Sequence, residues 1–205
     1  MTTAGPSSGP AESRLRPSSE IDRLRASDYL NAMTIKPLII LPDPVLRQTS
    51  KPVETVDDQV RRLADDMLET MYLAPGVGLA APQVGVTKRI IVIDVGKSAE
   101  EREPLRMANP EIVWESEDWS VYEEGCLSLP EYYADVERPE QVRVKYIDQT
   151  NTERELEAEG LLATCIQHEI DHLEGVLFVD HLTSIKRGMI LRKLQKAKKI
   201  KSSAE

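Results

Sequence analysis

The feature that most restricts this 205-residue chain is a five-residue run, His168-Glu169-Ile170-Asp171-His172. On an α-helix, residues four apart lie one turn above each other, so both imidazoles point the same way and can grip one metal ion. Glu169 sits one residue further round the helix, near enough to handle the protons of a water on that metal. Leu161 and Cys165 fall on the same stripe, so this face is mostly apolar. The competing reading is a surface helix with two hydrated histidines, and the apolar stripe counts against it. The spacing places this helix at roughly 161–173, just after Gly160.

Around that helix the other elements can be laid out. Thr55-Val56-Asp57-Asp58 looks like a capping-box start. Val60, Leu63, Ala64, Met67, Leu68 and Met71 follow at helical spacing, and Pro75 and Gly76 end the helix. Residues 90–95 read as a buried strand, with shorter β-like runs at 111–115, 118–123, 141–148 and 153–159. A third helix is expected over 183–200, with Ile185, Met189, Leu194 and Ala197 on one side. There is no internal repeat. Strands gathered between two long helices, rather than alternating with them, indicate an α+β fold.

The length suits one ordinary domain. Residues 1–32 are rich in Ser, Pro, Ala and charge, with breaks at Pro6, Pro10 and Pro17, and read as a disordered extension. Their four acids count against a mitochondrial transit peptide. Met33 opens the apolar segment 35–41 and could itself be the biological start. The expected division is an extension over 1–32, a catalytic domain over 33–182 and a basic helix and tail over 183–205.

The formal charge of -9 is unevenly spread. From Lys186 onward there are eight Lys or Arg and one acid, while the rest of the chain carries a net -16. An acidic body argues against a DNA partner. No apolar run approaches the roughly 18 residues a membrane helix needs, and no secretory signal is evident. Cys126 and Cys165 do not make a disulfide framework, so reduced thiols in a cytoplasmic protein are expected.

A catalytic metal wants three protein ligands and one open position. In metzincin proteases the third would fall at position 178, here Phe178, which cannot bind metal. A thermolysin-like site needs a Glu about twenty residues beyond the motif, but only Glu174 and Glu205 follow it. His181 remains as a weak candidate. Upstream stands Glu124-Gly125-Cys126-Leu127-Ser128-Leu129-Pro130, where Cys126 could present a thiolate; the alternative is a small buried hydrophobe.

Gly76-Val77-Gly78-Leu79-Ala80-Ala81-Pro82-Gln83 superficially fits a dinucleotide-binding loop. The context refuses it, because a helix precedes the segment and Pro82 and Gly85 leave no room for one after it. A glycine-rich loop that lets a peptide approach closely, with Gln83 as an amide donor, fits better. Gly78, Leu161 and Cys165 are candidate substrate-pocket residues, with ordinary core packing as the alternative.

Taken in order, the segments 76–83 and 124–128 and the run Gln167-His168-Glu169-Ile170-Asp171-His172 resemble the three signature motifs of the peptide deformylase family. The likeness covers roughly residues 33–182. It implies antiparallel strands packed around a central HExxH helix, with an N-terminal and a C-terminal helix. It implies one divalent metal on Cys126, His168 and His172, usually ferrous iron, although Zn²⁺, Ni²⁺ and Co²⁺ suit such a site. It further implies that Glu169 is the general acid/base, with Gln83 and the Leu127 amide holding the formyl oxygen. The expected reaction is removal of the N-formyl group from the N-terminal methionine of newly synthesised proteins, by attack of a metal-activated water on the formyl carbon. The basic C-terminal helix is expected to dock on the ribosome. Arg138 reads chiefly as a surface arginine, with ordering of the site as the alternative. A zinc endopeptidase lacks its downstream ligand here, and a non-catalytic metal module would leave Glu169 without use.

Overall fold

Strand β2 (Ile90–Ile93) shows why this sequence folds as it does. All four of its side chains are buried, and they alternate between two cores. Ile90 and Val92 meet one helix, while Ile91 and Ile93 meet another on the opposite face. A strand covered on both sides must be apolar throughout, which explains a run with no polar alternation.

The computed structural model describes residues 34–202; the expectation of disorder over 1–32 lies outside the described residues. Helix α1 (Asp58–Leu73) is capped by Asp57, whose side chain accepts from the Val60 amide, so the cap falls two residues after Thr55. β1 (Gly78–Ala80), β2, β3 (Leu105–Glu115), β6 (Gln141–Ile147) and β7 (Glu153–Glu159) form one antiparallel sheet in the order β1-β2-β3-β6-β7. β4 (Trp119–Cys126) and β5 (Leu129–Pro139) form a separate hairpin between β3 and β6. Helix α2 (Gly160–Leu173) packs Ala163, Cys165, Ile166 and Leu173 on the sheet face opposite α1. The hairpin contributes Leu129 and Val136 to a third core with Leu46, Phe178 and Val179. The fold is α+β with the HExxH helix at its centre, as expected.

Three details differ from the sequence expectation. Residues 78–80 are a short strand rather than loop, and β5 is a full strand that its flanking Pro130 and Pro139 conceal. Helix α3 (Ser184–Ser202) leaves Ile185 and Met189 exposed, while Ile190, Leu191 and Leu194 pack on the third core. At about 100° per residue, Leu194 lies opposite Ile185, so those positions never shared a stripe. No helix of the described residues is long and apolar enough to cross a membrane.

Two of the residues with positive φ are held by close neighbours. Helix α2 runs into Gly175 (φ 73°), where a Cβ would stand 2.6 Å from the Arg47 carbonyl oxygen. In β3, Asn109 (φ 51°) sits at a register shift, and its side chain pairs both the N–H and the C=O of Val53, at 2.7 and 2.8 Å. Asn109→Ala would strand both backbone groups and keep a strained φ. We expect a loss of about 2–3 kcal/mol, read by denaturant unfolding.

Candidate metal centre and active site

The strand period of two decides what β4 offers to α2. Tyr122, Glu124 and Cys126 face inward, whereas Trp119, Val121 and Glu123 are exposed on the other side. Glu124 and Cys126 therefore reach α2 together, where His168 and His172 stand one turn apart and are both buried. Donor atoms of Cys126, His168 and His172 all lie within 4.8 Å of one another. Cys126 Sγ is 3.2 Å from His172 Nε2. Ligands sharing one ion at about 2.0–2.3 Å stand roughly 3–4 Å apart, so this donor set fits a divalent metal with an open fourth position. His181 does not join it, since its Nε2 is 2.8 Å from Asp171 Oδ2. Phe178, at the position where a metzincin carries its third histidine, stacks instead on the His168 ring at 6.2 Å.

Behind the histidine lies an ion pair that the sequence did not reveal. His168 Nδ1 is 2.7 Å from Glu124 Oε2. Arg138 forks onto the same carboxylate, with Nε at 2.6 Å from Oε1 and Nη2 at 3.1 Å from Oε2. Arg138 is only 5% exposed, which overturns the surface-arginine reading. Burial would raise the Glu124 pKa, but the hydrogen bonds from His168 and Arg138 outweigh it and hold it at about 2. An ionised carboxylate only accepts, so His168 carries its proton on Nδ1 and leaves Nε2 free to ligate. Burial lowers the His168 pKa, yet Cys126 and Glu124 outweigh that and raise it, so positive charge is favoured at this ring, and a metal cation on Nε2 would take the place of a proton there. His172 is held well below the ordinary imidazole value, first by burial and then by neighbouring His168, which keeps it in the neutral form that binds metal.

Glu169 is buried beside the triad, and its Oε2 has no partner among the described residues. Burial is the main cause that pushes its pKa up to about 7. Gly78 makes room for it: a Cβ there would meet Glu169 Oε1 at 2.4 Å and Cys165 Sγ at 2.6 Å. Gln83 is fixed at the other end, where Oε1 accepts from the Ala80 amide at 2.8 Å. Its Nε2 donates toward Ser128 Oγ at 3.3 Å and Cys126 Sγ at 3.5 Å. Leu127 follows Cys126 in the turn from β4 to β5. These groups open on one cavity of about 590 Å³, and Gly78, Gln83, Cys126, Leu127, Leu161 and Cys165 all line it. The structure thus brings every candidate site residue of the sequence to one place except His181. Glu124 and Asp171 were missed as supporting residues, and for Arg138 the structure favours the alternative of ordering the site over the surface reading. The readable signal for Glu124 was its spacing of two before Cys126.

An HExxH helix, a strand cysteine and a buried carboxylate thus converge on one cavity, the arrangement of a candidate metal-dependent hydrolase. The profile of the polypeptide deformylase family matches residues 35–188. A peptide deformylase of Rhizobium meliloti is 63% identical over 171 residues, covering 83% of this chain and 98% of its own. A solved peptide deformylase from Legionella pneumophila is 48% identical, with a TM-score of 0.76 over 82% of this chain and 98% of its own. One from Ehrlichia chaffeensis, in complex with actinonin, is 41% identical with a TM-score of 0.77 over 80% and 98%. The chain belongs to the polypeptide deformylase family, whose members are metal-dependent. Membership makes it a hydrolase that acts on the formyl group of N-terminal methionine.

Removing the Arg138 guanidinium would leave the Glu124 carboxylate buried without its main partner. Arg138→Met should cost about 3–5 kcal/mol of stability, and Arg138→Lys should recover only part, because an ammonium cannot fork. Unfolding midpoints of the three proteins check this.

Proposed function

We propose that this chain removes the N-formyl group from methionine at the start of nascent proteins, in the cytoplasm, with one divalent metal held by Cys126, His168 and His172. The observation that carries the reading is the clustering of those three donors at a cavity lined by Cys126, His168 and a Glu169 whose buried Oε2 is unpartnered among the described residues. When bound, the metal supplies a Lewis acid that polarises water and lowers its pKa toward neutrality.

The remaining steps fall to the chain's own residues. Glu169 accepts the proton of the attacking water and returns it to the departing amine, a task suited to a carboxyl whose pKa burial brings near 7. Gln83 has its oxygen tied to Ala80, which aims Nε2 into the cavity as a donor to the formyl oxygen. The Leu127 amide is the second donor, and losing one such group typically costs about 10²–10³ in rate. Gly78 lets the peptide backbone come close. Leu161 and Cys165, two turns and one turn before His168 respectively, give the methionine side chain an apolar wall.

Ferrous iron is the metal we assign, and metal analysis of anaerobically purified protein should return it. Glu169→Gln should keep its metal and lose at least 10²-fold in kcat. Cys126→Ala should lose metal, whereas Cys165→Ala should keep it. Metal content measured beside hydrolysis of formyl-Met-Ala-Ser separates these cases, and activity within tenfold in Glu169→Gln would remove that residue from its role.

The ribosome is the partner we assign to helix α3, where Lys186, Arg187, Arg192, Lys193 and Lys196 are exposed on an otherwise acidic chain. Contacts to RNA phosphate release counterions and weaken steeply with salt. Because Leu194 packs in the third core, charge neutralisation is a cleaner test than truncation. Arg192→Gln with Lys193→Gln and Lys196→Gln should leave formyl-Met-Ala-Ser hydrolysis intact and weaken co-sedimentation with ribosomes at low salt. Equal, salt-insensitive sedimentation would leave the helix as a solvated end.

A further inference from the structure

The second variable position of the HExxH run, Asp171, is not used by the reaction, yet it is tied into the site. Arg138 has three donors engaged. Nε and Nη2 go to Glu124, and Nη1 lies 2.9 Å from Asp171 Oδ2. The same oxygen lies 2.8 Å from His181 Nε2, and a carboxylate only accepts, so that nitrogen carries hydrogen. A continuous series thus runs from the surface to the metal site: His181, Asp171, Arg138, Glu124, His168. Side-chain exposure falls from 35% at His181 through 22% and 6% to 4% at Glu124, with His168 at 9%.

We propose that Asp171 and His181 are positioning residues for the metal centre, acting through Arg138 and Glu124 on His168. The reasoning is geometric. The Glu124 carboxylate orients His168 only if its own plane is fixed, and the Arg138 fork fixes it. That fork can turn about the Arg138 side chain unless its third nitrogen is anchored. Asp171 supplies the anchor from the same helix that carries both histidines, so the frame that holds Arg138 moves with the ligands. His181 holds the Asp171 carboxylate from the short turn Phe178–His181, whose Phe178 stacks on His168. One short segment therefore braces the imidazole at its face and, through three charged groups, at its Nδ1. Groups that orient a ligating histidine from behind commonly change metal affinity by about 10–100-fold, and residues further back fall at the low end of that range.

This inference rests on the reading of Cys126, His168 and His172 as metal ligands. The test uses the full chain loaded with Ni²⁺, following metal loss to excess EDTA and, separately, thermal unfolding and the kcat and KM for formyl-Met-Ala-Ser. Asp171→Asn keeps the shape and removes the charge, and should release nickel about tenfold faster with KM nearly unchanged. His181→Ala should release it about threefold faster, and His181→Gln, whose amide can donate to Asp171, should return to the wild-type rate. Nickel loss at the wild-type rate in both Asp171→Asn and His181→Ala would overturn the proposal alone. So would His181→Gln behaving like His181→Ala, since that would mark a packing effect. A wild-type chain that takes up no nickel would overturn the metal reading, and this proposal with it.

Discussion

The pairing of Arg138 with Glu124 is the interaction on which the rest of the site depends. Two opposite charges this deeply buried are tolerated only with their hydrogen bonds met. Meeting them dictates much of the local architecture. β4 must present Glu124 inward, β5 must bring Arg138 back beside it, and α2 must lie close enough for His168 and Asp171 to complete the set. Once those demands are met, Cys126 falls two residues further along the same strand face, opposite His172. The arrangement of the candidate ligands is thus largely a by-product of satisfying a buried charge pair.

The central sheet supplies the rigidity this requires. With α1 on one face and α2 on the other, β2 is fixed from both sides, and β1 is carried along by its pairing with β2. That holds Gly78 against Glu169 and starts the turn that places Gln83. A carboxyl kept dry by a neighbouring backbone has its proton affinity set by the fold rather than by solvent.

Much of this was legible in the sequence, for reasons that can be named. The HExxH helix, the apolar run of β2 and the stripe of α1 each follow a period that one sequence displays on its own. The third ligand needed the ordered set of three motifs, since nothing local distinguishes Cys126 from Cys165. Arg138 and Asp171 were not legible, because their partners lie far along the chain and a charged residue on a strand or helix ordinarily faces water. β5 escaped because only Leu129, Val136, Arg138 and Pro139 on it are buried, with prolines near both ends. The packing side of α3 was misread because Ile185 and Leu194 look apolar in a list and stand opposite each other on a helix.

The place of the hairpin in the topology has a separate consequence. β3 and β6 are neighbours in the sheet, paired up to Glu115 and Val142, so the chain between them is a closed excursion from an already zipped ladder. Loop-closure entropy grows only with the logarithm of length, roughly 0.6 kcal/mol for each doubling. Lengthening that excursion away from the β4–β5 turn is therefore cheap for the sheet. Everything the excursion carries to α2, namely Glu124, Cys126 and Arg138, sits on strand positions where a one-residue slip would turn it to the opposite face. Along this one segment the chain is permissive in length and intolerant in phase.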